Sequence, residues 1–329
     1  MTPTRTVHRD AIELAVYERG CVPGRETVVL VHGYPDSAQI WNPIAERLAE
    51  RFHVVSYDVR GAGASSVPAR VRDYRISELM ADLGAVIDAV APGRKVHLVG
   101  HDWGSIQCWE GVCTEPLNQR IASYTSISGP SLDHVGHWLR DNARPGWRGE
   151  QLLRQLGRSW YIVMFQLPGL APAAWTLGLD RHWSRLMKRL EGTEVEVSPT
   201  QLKDGRNGIK LYRANVLPRL LRPQPRYATL PVQLIIPMRD RFVGPELYEG
   251  LSRWVGTLRR RAIDAGHWLL LSHPDQVARC IAEWIDEQGP ARLARASAKP
   301  AARATSRTRA AAASKPAAPN ASRPDTDPA

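Results

Sequence analysis

Five short apolar runs alternate along this chain with helix-length amphipathic stretches. The runs, each bounded by Gly, Pro or Asp, cover residues 27–33, 52–58, 95–100, 121–129 and 231–237, and they are typical of buried strands. Two stretches repeat apolar side chains at helical spacing, residues 76–90 and residues 274–288. Strands that alternate with helices predict the α/β class, with a mostly parallel sheet flanked by helices.

The alternation is interrupted between residues 132 and 217, where the sequence becomes helical and aromatic. This stretch contains Trp138, Trp147, Trp160, Trp175 and Trp183. We interpret it as a helical cap inserted into a core made of residues 1–131 and 218–289. The tryptophans are suited to roofing an apolar site, although packing between small helices accounts for part of them.

Most of the positive charge lies at the end of the chain. The net charge is +11, and residues 290–329 contribute eight Lys/Arg against two Asp. This segment consists almost entirely of Ala, Pro, Ser, Arg and Lys, so it has too little apolar surface to offset the entropy of ordering. We expect a disordered, solvated tail, and no nucleic-acid partner.

The sequence also predicts what the protein lacks. It contains no run of about 18 or more apolar residues, and residues 1–10 do not resemble a signal peptide. We therefore expect no membrane span and a cytoplasmic location. The four cysteines, Cys21, Cys108, Cys113 and Cys280, show no CxxC spacing. They are interpreted as reduced thiols used in packing, without a metal or a redox role.

The run VHLVGHDWGSIQCWEG, residues 96–111, leads from a predicted strand directly into a helix. Gly100, Asp102 and Gly104 form a G-x-D-x-G frame at that junction, which is the context of a nucleophile elbow. The small neighbours allow the backbone and the helix to approach a side chain held on a sharp turn. Ser105 lies three residues past the tip, inside the helix, and is a poor nucleophile candidate. The frame alone is weak evidence, because an Asp between glycines is also ordinary turn chemistry.

Further candidate residues occur where such a mechanism needs them. The motif HGYP follows the first buried strand, and it supplies His32, Gly33, Tyr34 and Pro35. Backbone N–H groups of Tyr34 and Trp103 are suited to an oxyanion hole with substrate contacts around them. Asp240 follows the strand at 231–237, and His267 comes after the last strand. The chain order is then nucleophile, acid, histidine.

With these motifs the chain resembles the α/β-hydrolase fold, and the Asp nucleophile with HGYP and GHDWG resembles the epoxide hydrolase branch. The resemblance covers roughly residues 8–288. It is greatest to the hydrolase half of actinobacterial proteins in which such a domain precedes a short-chain dehydrogenase. Because a basic tail follows the domain here, the resemblance implies no dehydrogenase activity.

The resemblance also implies two cap tyrosines that hold and protonate the epoxide oxygen. SWYIVMFQLPG matches the pattern around the first, which makes it Tyr161, and IKLYRANV matches the second, which makes it Tyr212. Both lie inside the predicted cap. Taken singly, each could equally be an amphipathic aromatic packed between helices.

An aspartate at the elbow selects alkyl transfer. Attack of a carboxylate on an acyl carbon forms a reactive anhydride, whereas attack on an sp³ carbon forms an ordinary ester. His267, oriented by Asp240, would then activate water to hydrolyse that ester. We predict that a small hydrophobic epoxide and water react to give a vicinal diol through an alkyl-aspartyl ester, without a metal or an organic cofactor. The oligomeric state does not follow from the sequence.

Several alternatives remain at this point. Haloalkane dehalogenases share the Asp elbow and a following Trp, although many carry Asn where this chain has Tyr34. Asp133, after the strand at 121–129, competes with Asp240 as the acid. His134 and His137 could suggest a metal site but lack a third ligand. A non-enzymatic scaffold that binds a partner through the basic tail would be insensitive to Asp102→Ala.

Overall fold

A computed structural model describes residues 2–143, 149–192 and 197–289 of the chain. The predicted tail at 290–329 and the cap residue Trp147 lie outside the described residues. Among the described cysteines, Cys108 and Cys280 are buried, Cys113 is partly buried and all are free thiols. Cys21 is exposed, so the expectation that it serves packing is wrong.

Eight strands form one sheet. They are β1 (Arg5–Arg9), β2 (Ile12–Arg19), β3 (Thr27–Val31), β4 (His53–Tyr57), β5 (Val96–His101), β6 (Ile121–Ile127), β7 (Val232–Pro237) and β8 (Leu258–Ile263). The strand order is β1-β2-β4-β3-β5-β6-β7-β8. β1 and β2 pair antiparallel at one edge, and the other six strands run parallel. The predicted mostly parallel α/β sheet is confirmed, and the five predicted strands are β3 to β7.

Helices cover both faces of the sheet. Those of the core are α1 (Asn42–Leu48), α2 (Ile76–Val90), α3 (Trp103–Cys113), α10 (Leu269–Ser272) and α11 (Pro274–Gln288). Short 3₁₀ turns span Ala38–Trp41, Val71–Tyr74, Leu117–Arg120, Pro245–Tyr248 and Leu251–Arg253. The strands β3 and β4 are buried at every position, as expected for a parallel sheet covered on both faces.

Between β6 and β7 the chain forms a helical insertion. Its helices are α4 (Leu132–Asn142), α5 (Gly149–Arg158), α6 (Trp160–Gln166), α7 (Leu170–Ala174), α8 (Asp180–Glu191) and α9 (Gln201–Leu221), with a π-helical turn at Trp175–Leu179. The boundary predicted between residues 217 and 218 falls inside α9. Helix α9 continues past that point even though it includes Pro218.

Helix α9 attaches the cap to the core along its length. Near its start, the side chain of Gln201 donates to the carbonyl of Pro35 (3.0 Å), and the carboxylate of Asp204 accepts from the N–H of Gly63 (3.0 Å). Nearly two turns before its end, the Asn215 side chain accepts from the N–H of Ile76 (2.9 Å). These bonds hold α9 directly above the carboxyl ends of the parallel strands.

No single helix within the described ranges is long and apolar enough to cross a bilayer. One pair of successive helical segments passes that test together, Trp160–Gln166 with Leu170–Glu191, but its axis bends by 101° at the break.

Candidate active site

Asp102 occupies a strained turn between β5 and α3. Its backbone has φ +51° and ψ −123°, a conformation that costs on the order of 1–3 kcal/mol for a residue other than glycine. The N–H of Asp102 donates to the carbonyl of Ile127 on β6 (3.0 Å). A Cβ on Gly104 would lie 2.0 Å from the carbonyl oxygen of Val31, so only glycine lets α3 approach the sheet this closely. The turn therefore presents the Asp102 carboxylate above the carboxyl ends of the parallel strands.

His267 and Asp240 come together beside this carboxylate. His267 Nδ1 lies 2.8 Å from Asp240 Oδ2. The other oxygen of Asp240, Oδ1, accepts from the N–H groups of Phe242 (2.8 Å) and Val243 (2.9 Å). With its acceptor sites used in this way, Asp240 is fixed, and it keeps the proton of a neutral His267 on Nδ1. His267 Nε2 then faces Asp102, at 3.6 Å from Oδ2.

The two carboxylates beside His267 favour the charged form of its imidazole. Burial alone would lower the pKa of His267, but the carboxylates of Asp240 and Asp102 raise this pKa well above its ordinary value. Burial opposes ionisation of Asp240, yet the adjacent His267 and two backbone N–H groups hold the pKa of Asp240 below its ordinary value. Before any reaction, the imidazole is therefore stabilised as a cation between two carboxylates.

The HGYP loop supplies a donor to Asp102. The N–H of Tyr34 donates to Asp102 Oδ1 at 2.7 Å. The N–H of Trp103 is the first of α3, so it has no acceptor within the helix and remains for an oxyanion at the same carboxyl group. Both predicted oxyanion donors therefore lie next to Asp102.

His32 and Gly33 shape the loop instead of facing the cavity beside Asp102. His32 Nε2 accepts from the N–H of Val59 (2.9 Å), and burial lowers the pKa of this imidazole. A Cβ on Gly33 would lie 2.4 Å from Asp102 Oδ1, so glycine is needed for the loop to pass the carboxylate. Their predicted role as substrate contacts is replaced by a positioning role, whereas Pro35 does line the cavity.

Tyr161 on α6 and Tyr212 on α9 line the same cavity as Asp102 and His267. Their ring centroids are 6.0 Å apart. Burial raises the pKa of both phenols, and the negative charge of Asp102 raises each pKa further. Both hydroxyls therefore stay protonated at neutral pH, and they are available as donors to a group bound between them and Asp102.

The cavity has a volume of about 640 Å³. Its walls are mainly apolar, and they include Met164, Phe165, Trp175, Trp183, Leu186 and Phe242. The aromatic roof predicted for the cap is present at Trp175 and Trp183, both buried. A carboxylate, an imidazole and two phenols thus lie in a mainly apolar chamber, whose lining also includes Arg154, Arg158 and Arg241. A few polar groups in an apolar cavity are the usual composition of a small-molecule site.

The sequence reasoning missed three parts of the site, namely the hydroxyl of Tyr34, the indole of Trp268 and the carboxyl group of Asp36. The Tyr34 hydroxyl donates to the carbonyl of Gly205 on α9 (3.0 Å) and accepts from Trp175 Nε1 (2.8 Å), so the HGYP loop is bonded to the cap. Trp268 Nε1 donates to Asp36 Oδ2 (3.0 Å), and burial raises the pKa of Asp36 to about 7. Asp36 directly follows HGYP and Trp268 directly follows His267, so adjacency to those motifs is the signal that could have identified them.

Asp133 and His134, the competing candidates, form other contacts. Asp133 Oδ2 pairs with Arg219 at 2.7 Å and with Arg226 at 3.3 Å, so it does not orient His267. His134 Nε2 bonds to the carbonyl of Arg226 (2.8 Å), and its ring stacks on Trp254.

Neither Ser105 nor the histidine pair supports another chemistry. Ser105 Oγ is buried and donates to the carbonyl of Gly129 (2.6 Å). In the part of the chain that the structure describes, the group with metal-ligand spacing is Glu18, Cys21 and His53, which lies at the opposite edge of the sheet and excludes His134 and His137. Arg5 and His53 already pair with the oxygens of Glu18.

Asp133→Asn separates the two candidate acids. We expect kcat/KM to change by less than about threefold, because this carboxylate does not reach His267. The free energy of unfolding should fall by about 1–3 kcal/mol, since Arg219 and Arg226 lose a charged hydrogen-bond acceptor. Urea unfolding and steady-state assays on the same preparation check both values. A large loss of turnover with unchanged stability would reinstate Asp133 as the acid.

Trp103 packs against Tyr212, a residue of the main cavity wall. The two ring centroids lie 4.8 Å apart. Burial raises the pKa of the Tyr212 phenol, and a side-chain hydrogen bond with Trp103 opposes that rise. The ring lines a second cavity of about 20 Å³ together with Gln107. The indole N–H is therefore engaged with the Tyr212 hydroxyl, a group of the cavity wall.

Comparison with known proteins gives a family and relatives. Residues 28–280 match the sequence model of the Alpha/beta hydrolase family. "Probable oxidoreductase EphD" of Mycobacterium tuberculosis is 36% identical over 296 residues, which are 87% of this chain and 50% of that protein. "Epoxide hydrolase A" of the same organism is 34% identical over 190 residues, 57% of this chain and 54% of that protein. The chain thus spans about half the length of these curated relatives.

A solved structure supports the same fold. An epoxide hydrolase of Bacillus megaterium, crystallised with an inhibitor, superposes with a TM-score of 0.72 at 20% identity, over 86% of this chain and all of that one. At this identity the likeness concerns the fold alone. The predicted fold class and family resemblance are confirmed by these matches.

Proposed function

Because the chain belongs to the alpha/beta hydrolase family, we propose that it hydrolyses an apolar epoxide to a vicinal diol through an ester on Asp102. The observation that carries this proposal is the placement of two protonated phenols, Tyr161 and Tyr212, in the same cavity as a carboxylate on a nucleophile turn. An epoxide needs both a nucleophile at carbon and a proton donor at oxygen. The similarity to Epoxide hydrolase A of Mycobacterium tuberculosis supports the same reaction.

The first step forms the ester. An Asp102 carboxylate oxygen attacks an epoxide carbon, and the bond between that carbon and the ring oxygen breaks. The released alkoxide takes a proton from a phenol, Tyr161 or Tyr212, while the second phenol hydrogen-bonds to the same oxygen. Asp102 Oδ2, which faces His267 and is not held by the Tyr34 N–H, is the attacking oxygen that this geometry favours.

The second step hydrolyses the ester. Alkylation removes the negative charge of Asp102, so one of the two carboxylates that kept His267 protonated is lost and the pKa of the imidazole falls. Neutral His267 can then accept a proton from water through Nε2 as that water attacks the ester carbonyl. The backbone N–H groups of Tyr34 and Trp103 stabilise the oxyanion that develops.

Collapse of the tetrahedral intermediate completes the balance. The bond between the ester carbon and the diol oxygen breaks, and His267 returns its proton to that oxygen. Asp102 is left as a carboxylic acid, and its proton passes to His267 and restores the resting imidazolium. The tyrosinate formed in the first step has already taken the proton that His267 released before water attacked. The sum is epoxide plus water to diol, and these steps call on no cofactor, as the sequence analysis also predicts.

The cavity favours an apolar substrate. Its volume of about 640 Å³ is within the range of drug-sized ligand pockets, and the walls offer aromatic and aliphatic surface. Asp102, His267 and the two phenols lie together on one part of that wall. The epoxide ring would bind there, with the hydrocarbon remainder of the substrate extending along Phe165 and Trp183.

Dehalogenation is the second candidate, because it uses the same carboxylate, acid and base. A halide leaving from carbon would need free N–H donors in the cavity, whereas the Trp103 indole is engaged with the Tyr212 hydroxyl. The two phenols have no function in that reaction. The tail-binding scaffold is a weaker candidate still, since it leaves the buried Asp102, Asp240 and His267 array unexplained. A cytoplasmic location stays a prediction.

Loss of both phenols is expected to abolish epoxide opening. For Tyr161→Phe/Tyr212→Phe we expect kcat/KM with styrene oxide to fall by about 10²–10⁴-fold, the usual contribution of a general acid. The ester-forming burst, measured by rapid quench and intact-protein mass, should slow by the same factor. Tyr57→Phe, which removes a buried hydroxyl from the core outside the cavity, is the matched control. A double variant that still opens the epoxide at the normal rate would refute the role of the phenols.

An isotope experiment tests the reaction and its route together. The enzyme, in excess over styrene oxide, reacts once in H₂¹⁸O, and peptides around residue 102 are then analysed by mass spectrometry. The proposal requires ¹⁸O in the Asp102 carboxylate and an unlabelled oxygen from Asp102 in the diol. A diol labelled in the first turnover, with an unlabelled peptide, would establish direct attack by water. Bromide release from a brominated alkane, without epoxide turnover, would favour the dehalogenase.

A further inference from the structure

The outer face of the cap exposes large apolar side chains. We define the apolar face by Leu153, Leu156, Trp160, Val163, Leu167 and Leu177. Each is about half exposed or more, and Leu177 is exposed over 86% of its surface. Single exposed apolar residues are ordinary, but a contiguous set marks a binding surface.

The members of the apolar face lie on neighbouring helices. Trp160, Val163 and Leu167 follow one another at i, i+3 and i+7 along α6 and its end, so they share one side of that helix. Leu153 and Leu156 have the same spacing on α5, which contacts α6. Helix α6 contacts α7, and α7 contacts the π-helical turn that carries Leu177. The residues of the apolar face are therefore carried by successive, touching elements of the cap.

Cations border this face along α8. Arg181, Arg185, Lys188 and Arg189 are exposed on that helix. The opposite side of α8 buries Trp183 and Met187. Arg181 and Arg185 form no ion pair within the described ranges of the chain, and Arg181 lies four residues after Leu177. Over residues 149–192 the sequence contains six Lys/Arg and three Asp/Glu, so the apolar face lies in a positively charged part of the cap.

The catalytic cavity reaches the surface at the same place. Arg154, Gly157 and Trp160 line the cavity, and all three are exposed. A Cβ built on Gly157 would meet no atom within 4 Å. The entrance therefore lies at the junction of α5 and α6, within the apolar face.

We propose that the apolar face docks on an anionic lipid bilayer, with the cavity entrance turned toward the lipid. Exposed Leu, Val and Trp side chains beside Arg and Lys are the composition that binds the interfacial region of a membrane, since apolar groups enter it while cations meet anionic headgroups. Entry of substrate from the lipid is a corollary that rests on the proposed function; docking itself does not.

Vesicle binding of the full chain tests this docking. Sucrose-loaded vesicles of phosphatidylcholine containing about one third phosphatidylglycerol are sedimented with the wild type and with Val163→Glu/Leu177→Glu, whose side chains are outside the cavity. We expect the wild type to sediment with the vesicles and this variant to bind at least about tenfold more weakly. The matched control is Val22→Glu/Val67→Glu, which makes the same charge change at half-exposed positions outside the cap. This control should bind like the wild type.

The design distinguishes vesicle binding through the apolar face from binding through the basic segment at 290–329, because both double variants retain that segment. Equal binding of the cap variant and the wild type would assign the interaction to other cations of the chain and overturn the proposal. Arg181→Glu/Arg185→Glu should weaken binding to anionic vesicles and leave the residual binding to pure phosphatidylcholine unchanged. No binding of the wild type to either vesicle would also overturn it.

Two further measurements identify the contact. Brominated phosphatidylcholine should quench part of the tryptophan fluorescence of the wild type, and this part should disappear in Trp160→Phe. Sedimentation equilibrium tests whether a second copy of the chain covers the face instead: a dimer that Val163→Glu/Leu177→Glu dissociates, without vesicle binding, would overturn membrane docking. Epoxide turnover of the cap variant in detergent-free buffer should equal that of the wild type, so failure of docking and failure of the proposed reaction are distinguishable.

Discussion

Asp102→Asn is expected to lower kcat/KM for styrene oxide by at least about 10⁵-fold, with the fold intact. An amide oxygen is a far weaker nucleophile than a carboxylate, and loss of a nucleophile in a concerted array costs on this order. Asn tolerates a positive φ better than most residues, and it can still accept from the N–H of Tyr34. The thermal unfolding midpoint should therefore stay near that of the wild type.

The measurement requires freshly purified protein, because deamidation of the new amide would restore Asp102. Mass spectrometry of the peptide containing residue 102 must accompany each assay. Asp133→Asn provides the same carboxylate-to-amide change outside the cavity. Normal turnover by an Asp102→Asn sample free of deamidated peptide would contradict the nucleophile assignment.

His267→Gln should arrest the reaction after its first step. Ester formation needs Asp102 and a phenol, whereas ester hydrolysis needs a base for water. We expect the hydrolysis rate constant to fall by about 10⁴-fold and the alkyl ester to accumulate. Intact-protein mass should rise by one substrate molecule, and the added mass should map to the peptide around residue 102.

The trapped ester distinguishes this role from general damage to the site. A misfolded cavity would form no ester, so accumulation together with blocked turnover is specific to loss of the base. His134→Gln, a change at a buried histidine that packs on Trp254, should retain turnover and show no added mass. Added mass on a residue other than Asp102 would contradict the proposed route.

The sequence patterns predicted the parallel centre of the sheet well, and the reason is physical. Strands buried on both faces are mostly apolar, so β3 to β7 are visible as nearly continuous apolar runs. β8 is not, because three consecutive arginines, Arg259 to Arg261, occupy it. Two of them pair with Glu287 and Glu283 of α11, so a charged strand is stabilised by contacts that have no local signal.

The site could be predicted only where chemistry is tied to local order along the chain. Asp102, Asp240 and His267 each follow a parallel strand at its carboxyl end, and these ends lie on the same side of the sheet. Their proximity therefore follows from the α/β fold. The aromatic contacts between cap and core have no such rule. Tyr34 was considered for its backbone N–H, whereas its hydroxyl bonds to α9, a contact 171 residues away in sequence.

That contact connects Tyr34 to the cap, while its backbone N–H connects it to the catalytic carboxylate. Its N–H holds the carboxylate of Asp102, and its hydroxyl is held by Gly205 and Trp175 of the cap. Any shift of the cap therefore moves an oxyanion donor, and the free energy of cap closure is linked to transition-state stabilisation. By thermodynamic reciprocity, a ligand that orders the cap also aligns the nucleophile, so remote changes at Trp175 would alter kcat more than KM.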